Sequence, residues 1–184
     1  MKRSSNIYRT IFIGVMAAVV CVVTFFRIPF LGSKVHFANA MCLLSGLLFG
    51  PVGGGLAAGI GSALYDALFG GYNFIECMIT FVSKFAMALV CALLARGAIG
   101  EKKNQAKIIL ACIIGALTYV ALYMLKTLVF QYFVYGLEFQ AALVVCGTKL
   151  PASLINALFA MIVTPIIYNA LEPALRKAGV LNKI

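Results

Sequence analysis

Charged residues are scarce in this sequence, and acidic residues are the scarcest. Only 11% of the 184 residues are charged, with 5 Asp and Glu against 15 Lys and Arg. A soluble domain carries roughly 25% charged residues, whereas here 64% of the residues are hydrophobic and the mean hydropathy is +1.06. We therefore predict a single membrane-embedded domain over residues 1–184, with no separate soluble unit.

The signatures of metal and catalytic sites are missing as well. There is one histidine, and the six cysteines stand singly without a Cys-x-x-Cys pair, which argues against a zinc site and a dithiol redox site. The sequence has no His-Glu-x-x-His, and Gly61-Ser62-Ala63 lacks the flanking glycines of a serine nucleophile elbow. It has no Walker ATP-binding motif, so the chain is not expected to hydrolyse ATP by itself. We predict no catalytic residue, no metal and no cofactor.

Long apolar runs predict an all-α integral membrane protein with six transmembrane helices. A spanning helix needs about 20 mostly apolar residues. The predicted helices cover residues 8–26, 36–49, 52–69, 74–96, 106–132 and 148–171. The first run follows a charged N-terminal segment without a small-residue cleavage site, so we expect a retained helix rather than a removed signal peptide.

The basic residues predict the orientation of these helices. Cytoplasmic segments of membrane proteins are enriched in Lys and Arg. The basic residues of the termini and of the gap after the fourth helix are Lys2, Arg3, Arg9, Arg96, Lys102, Lys103, Lys107, Arg176, Lys177 and Lys183. The opposite side has only Arg27, Lys34 and Lys149. Both termini are therefore predicted to be cytoplasmic, and the same placement of charge argues against a nucleic-acid partner.

Polar and ionisable residues recur inside the apolar segments. Each charge near the bilayer centre costs on the order of 2.5–3.5 kcal/mol on insertion scales, so such groups face the bundle interior, a partner or a ligand. Glu76, Thr80 and Lys84 are spaced four residues apart on one helix face. We predict a cavity that opens outward, and the candidate substrate-binding residues are Asn39, Tyr72, Asn73, Glu76, Thr80, Lys84, Tyr123, Lys126, Lys149 and Asn156.

A structural alternative stays open for some of these groups. Asp66 could pair with Lys84, and Glu76 with Lys126, as internal ion pairs; for Asp66 this alternative is favoured. The lone histidine, His36, either caps a helix or lines the mouth of the site. The three lysines in these segments, Lys84, Lys126 and Lys149, outnumber the two acids, Asp66 and Glu76. The resulting excess of positive charge hints at an anionic or electron-rich ligand.

Several of these motifs follow one another in a recognisable order. Leu48-Phe49-Gly50-Pro51 precedes the glycine-rich residues 53–61, then Ser62-Ala63-Leu64-Tyr65-Asp66, Gly71-Tyr72 and the segment Thr80 to Lys84. This pattern resembles the substrate-binding S components of energy-coupling factor (ECF) transporters, in the riboflavin-type and hydroxymethylpyrimidine-type branch. The resemblance covers nearly the whole chain.

The resemblance implies a subunit of the prokaryotic plasma membrane that binds a vitamin or precursor from outside. It implies partners as well: a transmembrane coupling subunit and two ATPase subunits, on which the S component docks and then topples to release its ligand inside. Riboflavin, a pyrimidine precursor of thiamine and a B6 vitamer all remain open as ligands. A small membrane channel and a membrane-embedded enzyme are the competing classes. Polar groups confined to the outer half of the helices favour binding over conduction.

Gly14 and Ala18 form a small-xxx-small pair in the first predicted helix. Small residues let helix backbones approach closely in lipid, so this pair predicts either packing inside the protein or docking to a partner. Under the resemblance it matches the family's docking surface, in which an Ala-x-x-x-Ala pattern is typical and the glycine is a mild departure.

Overall fold

The described part of the chain, residues 2–30, 33–99 and 103–179 of a computed structural model, contains five long helices. All five are long and apolar enough to cross a membrane. They are α1 (Lys2–Phe25), α2 (Ala38–Tyr65), α3 (Phe74–Leu94), α4 (Gln105–Val129) and α5 (Phe139–Lys177). Single π-helical segments extend α2 over Asp66–Gly70 and α4 over Phe130–Val134. Two of the basic residues used to predict orientation, Lys102 and Lys183, lie outside the described ranges.

The second and third predicted helices are joined into one element, α2, and the count of six helices stays a prediction. This element is kinked at Gly50, whose backbone angles (φ 75°, ψ −175°) are not helical, just before Pro51. The two halves of α2 fold back on each other at the kink. Cys42 Sγ lies 3.8 Å from Ser62 Oγ, although 20 residues of straight helix would span about 30 Å.

The small residues of α2 allow this close return. A Cβ atom added at Gly54 would collide with the backbone of Ser45 and Gly46 in the other half of the same helix. Ser45 Oγ donates a hydrogen bond of 2.9 Å to the Gly54 carbonyl oxygen across the same contact. The glycine-rich segment is therefore a helix-packing surface.

Two further boundaries differ from the predictions. The predicted outer loop after the first helix contains a two-stranded antiparallel ribbon, β1 (Arg27–Phe30) and β2 (Ser33–His36), in which Arg27 is opposite His36. Helix α5 begins at Phe139, nine residues before the predicted start at 148, and continues through three prolines to Lys177. The fold is all-α apart from the ribbon.

A second group of basic residues, Arg96, Lys103, Lys107 and Arg176, lies at the end of the bundle opposite the ribbon. Lys107 Nζ donates a hydrogen bond of 2.7 Å to the Arg96 carbonyl oxygen. Glu172 lies 2.8 Å from both Lys103 and Arg176, so the start of α4 is tied to the end of α5. Which side of the membrane this end faces stays a prediction.

Candidate functional site

A cavity of about 200 Å³ lies between the β1–β2 ribbon and the adjoining ends of the helices. Every long helix contributes to its wall, so the fold rather than one segment shapes it. The lining residues are Thr24, Arg27, Ser33, Lys34, His36, Ala38, Ser62, Tyr65, Asp66, Tyr72, Ile79, Thr80, Ser83, Lys84, Tyr119, Tyr123, Lys126, Lys149, Ser153 and Asn156.

Most of the predicted site residues meet at this cavity. Those that line it are Tyr72, Thr80, Lys84, Tyr123, Lys126, Lys149 and Asn156. Asn39, Asn73 and Glu76 lie beside the cavity but not on its wall. Whether any of these side chains contacts a ligand stays a prediction.

Lys84 is a buried cation held by neutral groups. Its ammonium donates a hydrogen bond to Asn39 Oδ1 and lies 3.6 Å from the centre of the Tyr119 ring. A cation over an aromatic face is attracted by the ring quadrupole. Asn39 thus contacts Lys84 from outside the cavity wall, and its own buried Nδ2 has no hydrogen-bond partner among the described residues.

Asn73 and Glu76 have structural roles at the start of α3. The Asn73 side chain accepts a hydrogen bond of 2.9 Å from the Glu76 backbone N–H. The Glu76 carboxylate accepts one from the Asn73 backbone N–H, and together the two bonds make a capping box. Glu76 also lies 3.5 Å from Lys126 Nζ. For Glu76, the predicted internal ion pair is the contact that forms.

The other predicted ion pair is not found. Within the described residues Asp66 forms no ion pair with Lys84 inside 4 Å. Asp66 begins the π-helical segment Asp66–Gly70 and lines the cavity. The carboxylate of Asp66 is thus left on the cavity wall.

Asn156 fastens the ribbon to α5 with both ends of its carboxamide. Its Oδ1 accepts a hydrogen bond of 2.8 Å from the His36 backbone N–H, and its Nδ2 donates one of 2.8 Å to the Lys34 carbonyl oxygen. Both hydrogen bonds go to backbone groups of strand β2, and the Asn156 side chain is buried. A side chain predicted to meet a ligand thus also holds the covering strand in place.

His36 lies at the end of β2 and lines the cavity, as one of its two predicted roles required. Burial, reinforced by the nearby charges of Lys84, Arg27 and Lys34, lowers the pKa of His36 to about 3. The ring is therefore neutral at physiological pH. Its buried Nδ1 has no hydrogen-bond partner among the described residues.

The list of candidate site residues left out several residues of the cavity wall. Tyr119 lies one helical turn before Tyr123 on α4, and the two rings stack with centroids 6.0 Å apart, so helical spacing gave a signal for it. Arg27, Ser33 and Lys34 reach the cavity through the ribbon. The ribbon is short, and its apolar and polar residues hardly alternate, so the sequence gave no such signal for it.

The predicted docking pair lies on an open face of α1. Both Gly14 and Ala18 are exposed, and a Cβ atom added at Gly14 would meet nothing within 4 Å. The neighbouring Ala17 instead packs against Gly61 of α2. Gly14 and Ala18 are therefore not used for packing in the described structure, and docking at this face stays a prediction.

Comparisons with known proteins agree with this architecture. The family model described as "ECF-type riboflavin transporter, S component" matches residues 4–173. The solved structure titled "Structure and mechanism of the S component of a bacterial ECF transporter" has a similar fold, with a TM-score of 0.70, 20% identity, and coverage of 91% of this chain and 96% of that chain.

A protein of Pyrococcus woesei described as "Uncharacterized protein in gap 3'region" is 32% identical over 96 residues. That match covers 51% of this chain and 60% of the relative, which is less than two thirds of its length.

Proposed function

Since the chain belongs to the ECF-type riboflavin transporter S-component family, we propose that it captures an aromatic vitamin or vitamin precursor outside the cell. Members of this family are transport subunits rather than enzymes, and this one is a multi-pass protein of the prokaryotic plasma membrane. The captured ligand is carried inward when the chain docks on an ECF coupling subunit powered by two ATPase subunits.

The cavity is the observation that carries this proposal. It is lined by tyrosines, hydroxyl groups and cations at the ribbon end. Beyond it the bundle is closed by buried apolar side chains such as Leu43, Met87 and Ile108. A one-sided polar cavity with an apolar floor is suited to holding a small molecule and does not provide a polar path across the membrane.

Riboflavin is the first candidate ligand, because the matching family is named for it. The cavity of about 200 Å³ is smaller than the roughly 300–1,000 Å³ of typical ligand pockets. A three-ring flavin would therefore need more room than a single-ring pyrimidine precursor or B6 vitamer. Tyr119 and Tyr123 offer stacked ring faces to any of them.

Two observations support cytoplasmic termini. Because α2 folds back at Gly50, the N-terminal end of α1 and the C-terminal end of α5 lie at the same end of the bundle. That end carries the Lys103–Glu172–Arg176 cluster and Lys107, and an excess of basic residues marks the cytoplasmic side. The cavity then opens to the outside.

Uptake into liposomes tests the proposal. The chain alone should bind radiolabelled vitamin without passing it across the membrane. With the coupling subunit and both ATPases in the liposomes, uptake should require ATP. Fast passive flux through the chain alone would contradict the proposal and favour a channel, and conversion of the vitamin into another compound would favour an enzyme.

A further inference from the structure

The cavity wall carries far more positive than negative charge. Its cations are Arg27, Lys34, Lys84, Lys126 and Lys149, and its one carboxylate is Asp66. If Glu76 behind the wall is counted against Lys126, which it approaches to 3.5 Å, three formal positive charges still have no opposing carboxylate. His36 adds none, because it is neutral.

The partners of these cations are aromatic rings and neutral amides. Arg27 lies 5.2 Å from the centre of the Tyr65 ring, and Lys34 lies 5.8 Å from that of Tyr72. Lys84 has the Tyr119 ring and Asn39. Such contacts steady a cation without cancelling its charge, so the field inside the cavity stays positive.

Of these five cations, Lys149 has the fewest identified partners in the described part of the chain. It is half-buried on α5 at the cavity wall, and no hydrogen bond or ion pair to it is found in the described part of the chain. Its ammonium can therefore turn to a ligand without giving up a protein partner.

Membrane orientation does not account for this cluster. Under the proposed topology these cations lie at the outer end, where Lys and Arg are normally depleted. Like charges that line one cavity also repel one another, so the arrangement costs free energy in the empty protein. A bound anion would remove that cost.

We propose that the ligand bound most tightly in this cavity is a phosphorylated aromatic vitamin, whose phosphate monoester lies among these cations. The inference rests on the proposed function and specifies its substrate. A phosphate monoester carries a charge of about −1.5 to −2 at neutral pH, which suits the uncompensated charge. Lys34 on the ribbon and Lys149 on α5, two elements that adjoin each other at the cavity, are the cations that would hold it.

The test compares matched pairs of ligands on the purified protein in detergent. The pairs are riboflavin and riboflavin 5′-phosphate, pyridoxine and pyridoxine 5′-phosphate, and hydroxymethylpyrimidine and its monophosphate. In the pair that binds, the phosphate ester should bind at least ~10-fold more tightly, a difference of about 1.4 kcal/mol. The variants Lys149→Gln and Lys34→Gln should each shrink this ratio, while Lys107→Gln at the other end of the bundle should leave it unchanged.

The outcomes separate the two claims. A neutral vitamin that binds as tightly as its phosphate ester, or more tightly, would overturn this inference and leave the proposed function standing. Failure of every compound to bind folded protein would overturn both. A phosphate advantage that survives in both lysine variants, with their melting temperatures unchanged, would contradict the assigned position of the phosphate.

Discussion

The ammonium group of Lys84 lies 3.6 Å from the centre of the Tyr119 ring, although the two residues belong to different helices. The contact joins α3 to α4 at the wall of the cavity. With Asn39 behind it, Lys84 has neutral partners only within the described residues. A buried cation without a carboxylate beside it is costly for folding. A ligand that supplies a further partner for the ammonium group would account for a lysine at this position.

Replacing Lys84 with Met should therefore weaken ligand binding without unfolding the protein. We expect at least a ~10-fold loss of affinity, since a hydrogen bond to a charged group contributes about 1.5–3 kcal/mol. Melting of the empty variant should be unchanged or higher, because a buried charge has been removed. Titration of the purified variant measures both. The control is Lys107→Met, an exposed lysine at the far end; equal affinities in wild type and Lys84→Met would sink the prediction.

Replacing Asn156 with Ala should loosen the ribbon. The change removes the carboxamide that accepts a hydrogen bond from the His36 N–H and donates one to the Lys34 carbonyl oxygen. This loss should lower the free energy of unfolding by about 1–3 kcal/mol. Hydrogen exchange of the β2 amides should accelerate, and ligand should dissociate faster.

The matched control is Asn169→Ala. Asn169 also makes two side-chain hydrogen bonds, to Gln105, but it is exposed at the opposite end of the bundle. If the ribbon exchanged at the same rate in both variants, Asn156 would not be what holds it.

Replacing Gly14 with Leu should abolish uptake and spare binding. A Cβ atom added at Gly14 meets nothing within 4 Å, so we expect a larger side chain there to obstruct a partner seated on this face of α1 rather than the protein's own packing. The same holds for Ala18→Leu. ATP-driven uptake with the coupling module and ligand affinity of the isolated chain are the two measurements.

Gly61→Leu provides the contrast. A side chain there would collide with the backbone of Ala17 and with Val20, so this variant should lower the melting temperature and reduce binding. Loss of binding in Gly14→Leu as well would point to internal packing rather than docking.

Acid should destabilise the protein partly through His36. Its pKa is lowered from 6.5 to about 3 in the folded protein, so between these values the unfolded chain binds a proton that the folded chain does not. The contribution of His36 to stability is complete above pH 6.5 and is lost as the pH falls toward 3.

Melting temperatures from about pH 7.5 to about pH 4 check this expectation. Carboxylates titrate in the same window, so the informative quantity is the difference between wild type and His36→Gln. The variant should show a shallower decline. Parallel curves would mean that His36 is not held neutral.

Hydropathy and charge were sufficient for the membrane class, for the break at Gly50-Pro51 and for the polar faces of α3 and α4. These signals are local, because helical spacing alone brings Thr80 and Lys84 to one side. The joining of two predicted helices into the kinked α2 was not local: Cys42 and Ser62 meet only because α2 folds back, and the sequence does not state whether a kink separates two elements or joins them.

The ribbon and the supporting contacts could not be predicted in the same way. Asn156 binds the backbone of β2 across 120 residues of sequence, and Asn39 acts behind Lys84 rather than at the wall. Asn73 and Glu76 carry the sequence pattern of a capping box, but their polar character alone suggested a ligand site. Helix ends need polar caps as well, so polarity within an apolar chain indicates either a cap or a ligand contact, and the sequence alone does not separate the two.

The most direct test is mass spectrometry of the small molecules released when the purified, detergent-solubilised protein is denatured. The account predicts one aromatic vitamin, precursor or phosphate ester in stoichiometric amount, absent from a Lys84→Ala preparation that remains folded. An empty wild-type protein whose melting temperature is raised by none of the candidate vitamins or their phosphates would contradict it.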